Sequence, residues 1–151
     1  MHGLWPETPP YGTSACVAPL DATPPVDVVP CYANLSCPNC ADDGSALGFE
    51  THEFGKHGNC AGVANATNYL DQVCSLAAQP LAVMARARAA GGDLDALASA
   101  VAAAGYEVFS TNAATGELYL SACSNRDYKA VGPWVLAPVA GFDVACGSGQ
   151  A

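Results

Sequence analysis

Eight cysteines in 151 residues constrain this chain more than any other feature. They are Cys16, Cys31, Cys37, Cys40, Cys60, Cys74, Cys123 and Cys146. An even and heavy complement points to a disulfide framework made in an oxidising compartment. Two N-glycosylation sequons, Asn34-Leu35-Ser36 and Asn65-Ala66-Thr67, agree with that setting. Cys37-Pro38-Asn39-Cys40 has two other readings, a redox pair or half of a zinc site. A redox pair belongs at a helix start after a strand, whereas Pro30, Asn34, Asp42, Asp43 and Gly44 around it are turn formers. Structural disulfides are therefore expected.

The length suits one domain, residues 1–151. Residues 6 to 48 hold most of the prolines and many Gly, Asp and Asn. They are expected to form a long, irregular loop region pinned by disulfides. From Phe49 to about Gln79 the pattern is helical, and Gly55 and Gly58 favour two short helices over one. Pro80 suits the first turn of a separate helix, Leu81 to Ala90, ended by Gly91-Gly92. Asp93 is placed to cap a helix over Leu94 to Ala104, with Leu94, Leu97, Val101 and Ala104 at helical spacing and Gly105 closing it. Beyond it, Tyr106, Val108 and Phe109, a turn over Asn112 to Gly116, and Leu118 to Leu120 predict an antiparallel pair. Trp134-Val135-Leu136 and Phe142-Asp143-Val144 are further strand candidates. Loops, then helices, then strands predict an α+β fold.

Charge excludes several functions. Fourteen acidic residues against five basic ones give a net charge of −9 and a pI of about 4.3. Broad basic grip on nucleic acid and polybasic docking on a membrane are both ruled out. The longest apolar stretch, around Ala96 to Ala104, is too short to span a bilayer.

Only three histidines are present, His2, His52 and His57. The last two lie in Phe49-Glu-Thr-His-Glu-Phe-Gly-Lys-His-Gly-Asn-Cys60. On a helix, His52, Glu53, Lys56 and His57 project within one arc of about 140°. A zincin needs imidazoles at i and i+4, but His57 is at i+5 from His52, which argues against a shared metal. Two imidazoles, a carboxylate and an ammonium without a metal suit phosphoryl transfer on RNA. One group takes the 2′-OH proton, another protonates the leaving 5′-oxygen, and a cation stabilises the phosphorane charge. DNA lacks the 2′-OH and escapes this chemistry.

His2-Gly3-Leu4-Trp5-Pro6 and His52-Glu53-Phe54-Gly55-Lys56-His57-Gly58-Asn59-Cys60 resemble the two signature motifs of the ribonuclease T2 family. Phe54 stands where Trp is usual and Asn59 where Thr is usual. The resemblance implies a T2-like fold, an antiparallel central sheet packed by helices with long disulfide-pinned loops. It implies that His2 and His57 are the acid–base pair, that His52 contacts phosphate, and that Glu53 and Lys56 stabilise the transition state. His57 is assigned as base and His2 as acid of the first step, an assignment the sequence alone does not fix. Trp5 matches a residue that stacks on the base 5′ of the cleaved bond, Glu7 one near that base, and Phe49 an aromatic of a second base site. For Trp5 and Phe49, plain packing is the competing role. Disulfides Cys16–Cys60 and Cys123–Cys146 are implied, and Cys31, Cys37, Cys40 and Cys74 match no shared pair. The implied activity is metal-independent, cofactor-free endonucleolytic cleavage of single-stranded RNA through a 2′,3′-cyclic phosphate. The implied setting is a monomer, secreted or in a vacuole or lysosome, with no DNA or membrane partner.

Family members carry a signal peptide and an opening segment, including a sheet strand, before the first motif. Here His2 is the second residue. The expectation is a sequence lacking its N-terminal segment, with the opening strand missing and Cys74 left without a partner. The alternative function is an inactive truncated homologue that acts only by binding. A weak hold on RNA and an acidic pH optimum are expected, because the imidazoles charge and the carboxylates begin to neutralise there.

Overall fold

A computed structural model describes residues 1–6, 17–33, 45–124 and 132–137. Their order is α1 (Ala46–Lys56), a 3₁₀ turn (Gly58–Cys60), α2 (Ala66–Ala89), α3 (Leu94–Ala103), then β1 (Val108–Asn112), β2 (Glu117–Leu120), β3 (Ala122–Ser124) and β4 (Trp134–Leu136). Helices precede strands, and both small sheets are antiparallel, β1 with β2 and β3 with β4. The chain divides into two compact units, Met1–Ser75 with Asp127–Pro133, and Leu76–Arg126 with Trp134–Ala151.

In the first unit, α1 starts at a proper cap: the Ser45 hydroxyl accepts the Gly48 N–H at 2.9 Å. The helix buries Phe49, Glu50, Glu53 and Phe54, a stripe at i, i+1, i+4 and i+5. At its far end the Asn59 amide donates to the Gly55 carbonyl at 2.8 Å. The residues 17–33 contain no helix or strand. They run beside residues 61–64 through a parallel bridge, Val17 with Ala61, and through Asp21 N–H to the Ala64 carbonyl at 2.9 Å. Tyr32, Phe54, Tyr69, Leu70 and Val63 make the core.

A disulfide joins Cys31 of this segment to Cys74 of α2. The expectation that Cys74 lacks a partner is therefore wrong. Its partner is supplied by the irregular segment, where no periodic pattern marks which cysteine will meet α2. The sequence separation of 43 residues makes this an entropic constraint worth about 4 kcal/mol against the unfolded chain. Cys60 and Cys123 are also disulfide-bonded, to cysteines outside the described residues. Cys16, Cys37, Cys40 and Cys146, and the strand expected at Phe142 to Val144, lie outside them too.

In the second unit, α3 follows its sequence signals. The Asp93 carboxylate accepts the Ala96 N–H at 2.9 Å, Leu97 and Val101 are buried, and Gly105 takes a φ of 96°. The β1–β2 hairpin turns at Gly116, with φ 72°, and is irregular between Val108 and Ser110. Glu107, Ser121 and Ala137 are joined by backbone hydrogen bonds of 2.9 to 3.0 Å, which tie the two hairpins together.

One helical expectation fails. Pro80 does not begin a new helix; α2 runs through it from Ala66 to Ala89. A proline there forfeits one backbone hydrogen bond and crowds the preceding turn. The Ala, Leu, Gln, Met and Arg residues around it are strong helix formers, and Pro80 itself is buried, so the helix absorbs the loss.

Candidate active site

The site lies wholly within the first unit. Its opening segment, residues 1–6, is held by two buried tyrosine hydroxyls. Tyr32 Oη donates to the His2 carbonyl, and Tyr69 Oη donates to the Leu4 carbonyl at 3.0 Å. Gly3 lies between them under tight constraint. A Cβ there would sit 2.6 Å from Glu53 Oε2 and closer still to the Tyr69 hydroxyl. Gly58 is constrained in the same way, since its Cβ would strike the Phe54 ring. Gly3 and Gly58 are thus required by space, whereas a Cβ at Gly55 would meet nothing within 4 Å.

Glu53 is the hub. Its side chain is 3 % exposed, Oε1 lies 3.3 Å from His2 Nδ1, and Oε2 accepts the Trp5 indole N–H at 3.2 Å. Burial alone would raise this carboxyl. The hydrogen bonds from His2 and Trp5, with the charges of His2 and His57, outweigh burial and hold it below its ordinary value. An ionised Glu53 only accepts, so His2 donates from Nδ1.

His57 follows α1 as its C-cap, and its N–H bonds the Glu53 carbonyl at 2.9 Å. Its ring stacks on Trp5, centroids 4.9 Å apart at 23°. Burial lowers its pKa most. Glu53 opposes this, while Lys56, His52 and His2 add to the lowering. His57 is thereby biased toward the neutral form, the form a base needs. The other face of the arrangement is His2, edge-on to Trp5 at 5.9 Å and to Phe49 at 5.5 Å.

His2, Trp5, Glu53 and His57 are therefore brought together. His52 and Lys56 are not in direct contact with that cluster among the described interactions; both are exposed, and their charges reach His57. The expected common face of α1 is thus split. Glu53 belongs to the buried stripe, His52 and Lys56 to the solvent side, and the helix ends before His57. Phe49 is 5 % exposed and packs against His2 and Tyr32, while Trp5 is 43 % exposed. Glu7 lies outside the described residues. Among those residues no three His, Cys, Asp or Glu side chains gather as a metal-holding group.

No family model, curated protein or solved structure matches the chain.

Three participants escape sequence reasoning. Tyr32 and Tyr69 act through hydroxyls on main-chain carbonyls far away in sequence, which no local pattern announces. Glu50 did carry a signal: three residues before Glu53, it shares that residue's side of a helix.

Proposed function

We propose that this protein is an endoribonuclease of the ribonuclease T2 type, with the corresponding fold, that cleaves single-stranded RNA. The observation that carries the reading is the convergence of His2, Glu53 and His57 around the Trp5 indole, with His2 and Glu53 51 residues apart in sequence. In the first step neutral His57 takes the proton of the ribose 2′-OH. The 2′-oxygen attacks phosphorus, the P–O5′ bond breaks, and His2 protonates the departing 5′-oxygen. Glu53 holds His2 in one tautomer and orientation. His52 and Lys56, on the solvent side of α1, supply positive charge to the phosphate oxygens. In the second step the roles reverse: His2 activates water, the cyclic phosphate opens, and His57 protonates the 2′-oxygen to leave a 3′-phosphate. This chemistry asks for no metal or cofactor.

Trp5, with over two fifths of its surface open, offers a stacking face to a base, and Glu7 is assigned beside it. Phe49 supports His2 in the described packing. Cys16 and Cys146 are assigned as the partners of Cys60 and Cys123. The disulfides suit a secreted, vacuolar or lysosomal setting, in which Asn65, exposed at the head of α2, would carry a glycan. The test is cleavage of a single-stranded oligoribonucleotide in the presence of a chelator, with mass analysis of the ends. The expected outcome is cyclic phosphate, then 3′-phosphate, and a loss of at least about a thousandfold in His2→Ala and His57→Ala. Unimpaired cleavage in either variant refutes the assignment.

A further inference from the structure

The buried stripe of α1 holds two carboxylates, and the chemistry above uses only Glu53. Glu50 is 0 % exposed. One oxygen, Oε1, accepts the Val29 backbone N–H at 2.8 Å, and the other, Oε2, has no hydrogen-bond partner among the described residues. An ion in that position loses its hydration and regains a single hydrogen bond, a poor exchange. The neutral acid avoids most of that cost.

Val29 leads the turn that carries Tyr32. The Tyr32 N–H bonds the Val29 carbonyl at 2.9 Å, and Cys31 within the turn is bonded to Cys74. The Tyr32 ring is fully buried beside Phe49, and its hydroxyl holds the His2 carbonyl. The His2 ring then returns to Glu53, one turn along α1 from Glu50. Glu50, the turn, Tyr32, His2 and Glu53 thus form a closed circuit on a single helix.

We propose that Glu50 is a proton-dependent positioning residue: protonated, it anchors the Val29–Tyr32 turn to α1 and keeps His2 in place, and on ionising it loosens that anchor. The catalytic consequence rests on the RNA-cleavage reading; the conformational one does not. Burial pushes the Glu50 carboxyl above its ordinary value, with the Val29 hydrogen bond only partly opposing it. Several titratable groups face this circuit. From the turn comes Tyr32, raised far above the ordinary phenol value by burial and then by Glu53 and Glu50. From α2 comes Tyr69, raised in the same way by burial, Glu53 and Tyr32. From α1 itself comes Glu53, held low. From the opening segment comes His2, which touches Glu53. Asp27, near Val29, is exposed. Glu53 ionises before Glu50 and both tyrosines after it. A carboxyl raised by folding lowers stability as pH rises. The penalty is absent below the unfolded value of about 4.3 and complete above the folded value.

Glu50→Gln in the whole 151-residue chain tests this. Gln keeps an acceptor for Val29 and nearly the same volume but cannot ionise. The melting midpoint of the variant minus that of the wild type is expected to be level near about pH 4 and to widen as pH rises toward about 7. Subtracting the two profiles cancels the shared titrations of Glu53 and His57. The His2 ring signals in NMR should show an inflection transmitted from Glu50 in the wild type and lose it in Glu50→Gln. In kcat, the Gln variant should extend the alkaline limb to higher pH, whereas Glu50→Leu, with no acceptor, should lose about tenfold across the range. Parallel melting profiles, or a His2 inflection that survives in Glu50→Gln, overturn the inference, even if Glu50→Leu fails to fold. A wild type that cleaves no RNA but melts and titrates as stated refutes the function and leaves the Glu50 circuit standing.

Discussion

In the unit that carries the candidate site, the largest fully buried side chains are Tyr32, Tyr69, Phe54, Leu70, Glu50 and Val63; in the other, the largest is Val101. The first interior is aromatic and polar. Two hydroxyls are spent on main-chain carbonyls, and two carboxylates lie under a helix. Among the described residues the second is aliphatic and thin. Alanine-rich α3 buries Leu97 and Val101, while Phe109 and Val135 of the sheets stay 74 % and 45 % exposed. Aliphatic burial gives cohesion without direction, whereas directed hydrogen bonds fix where a group points. A site that must hold two imidazoles at set angles needs the second kind, and the first unit supplies it through Tyr32, Tyr69 and Glu53.

The comparison breaks most readily at Glu53. Glu53→Ala should cost about 3 kcal/mol in a urea titration, because His2 and Trp5 lose their shared partner in a buried place. A cost under about 1 kcal/mol would mean the polar wiring holds little together. The same residue sets an acid limb. Its folded pKa lies below the unfolded one, so its contribution is present above the ordinary carboxyl range and drains away as pH falls through the folded value. His57, also lowered, costs stability as pH falls below about 6.5, since the unfolded chain takes the proton first. Glu53→Gln should therefore flatten the carboxyl part of a melting-versus-pH curve and deepen the His57 part, since Glu53 opposes the lowering of His57.

Leu97→Ala should come next, at about 2 kcal/mol by calorimetry, through the cavity it leaves. It should leave the ring signals of His2 and His57 unmoved; a change in them would show the contrast to be too sharply drawn. Asp93→Ala should remove about 1 kcal/mol with the lost cap of α3, read as a shift of the helical melting signal. Phe109→Thr should fall within about 0.5 kcal/mol of the wild type. A larger loss would show that the exposed sheet face packs on something.

From α3 onward the second unit was also the more legible, whereas its opening stretch held the failed expectation at Pro80. A capping Asp93, apolar residues four apart, closing glycines and a Gly116 turn are local signals, and each led to the element it predicts. Pro80 misled because a rule about local breakers met a sequence of strong helix formers on both sides. Residues 17–33 carry no periodicity, so the role of Tyr32 and the Cys31–Cys74 bond had no local sign. In the site, the motifs pointed to His2, Glu53 and His57. The division of α1 into an inward Glu53 and outward His52 and Lys56 depends on where the helix ends and which side meets the core. Glu50 was hidden by its type, because a carboxylate is read as solvated until something covers it.

The Cys31–Cys74 bond also sets an order of events during synthesis. A ribosome delivers the chain from its N-terminus at roughly 5–20 residues per second. Cys31 emerges well before Cys74, and all of α1, with His52 in it and His57 at its end, lies between them. Until the middle of α2 has left the exit tunnel, Cys31 has no native thiol to meet. Any oxidant that acts sooner can only join it wrongly. A chain stalled before residue 74 therefore cannot make the bond that ties the turn carrying Tyr32 to α2.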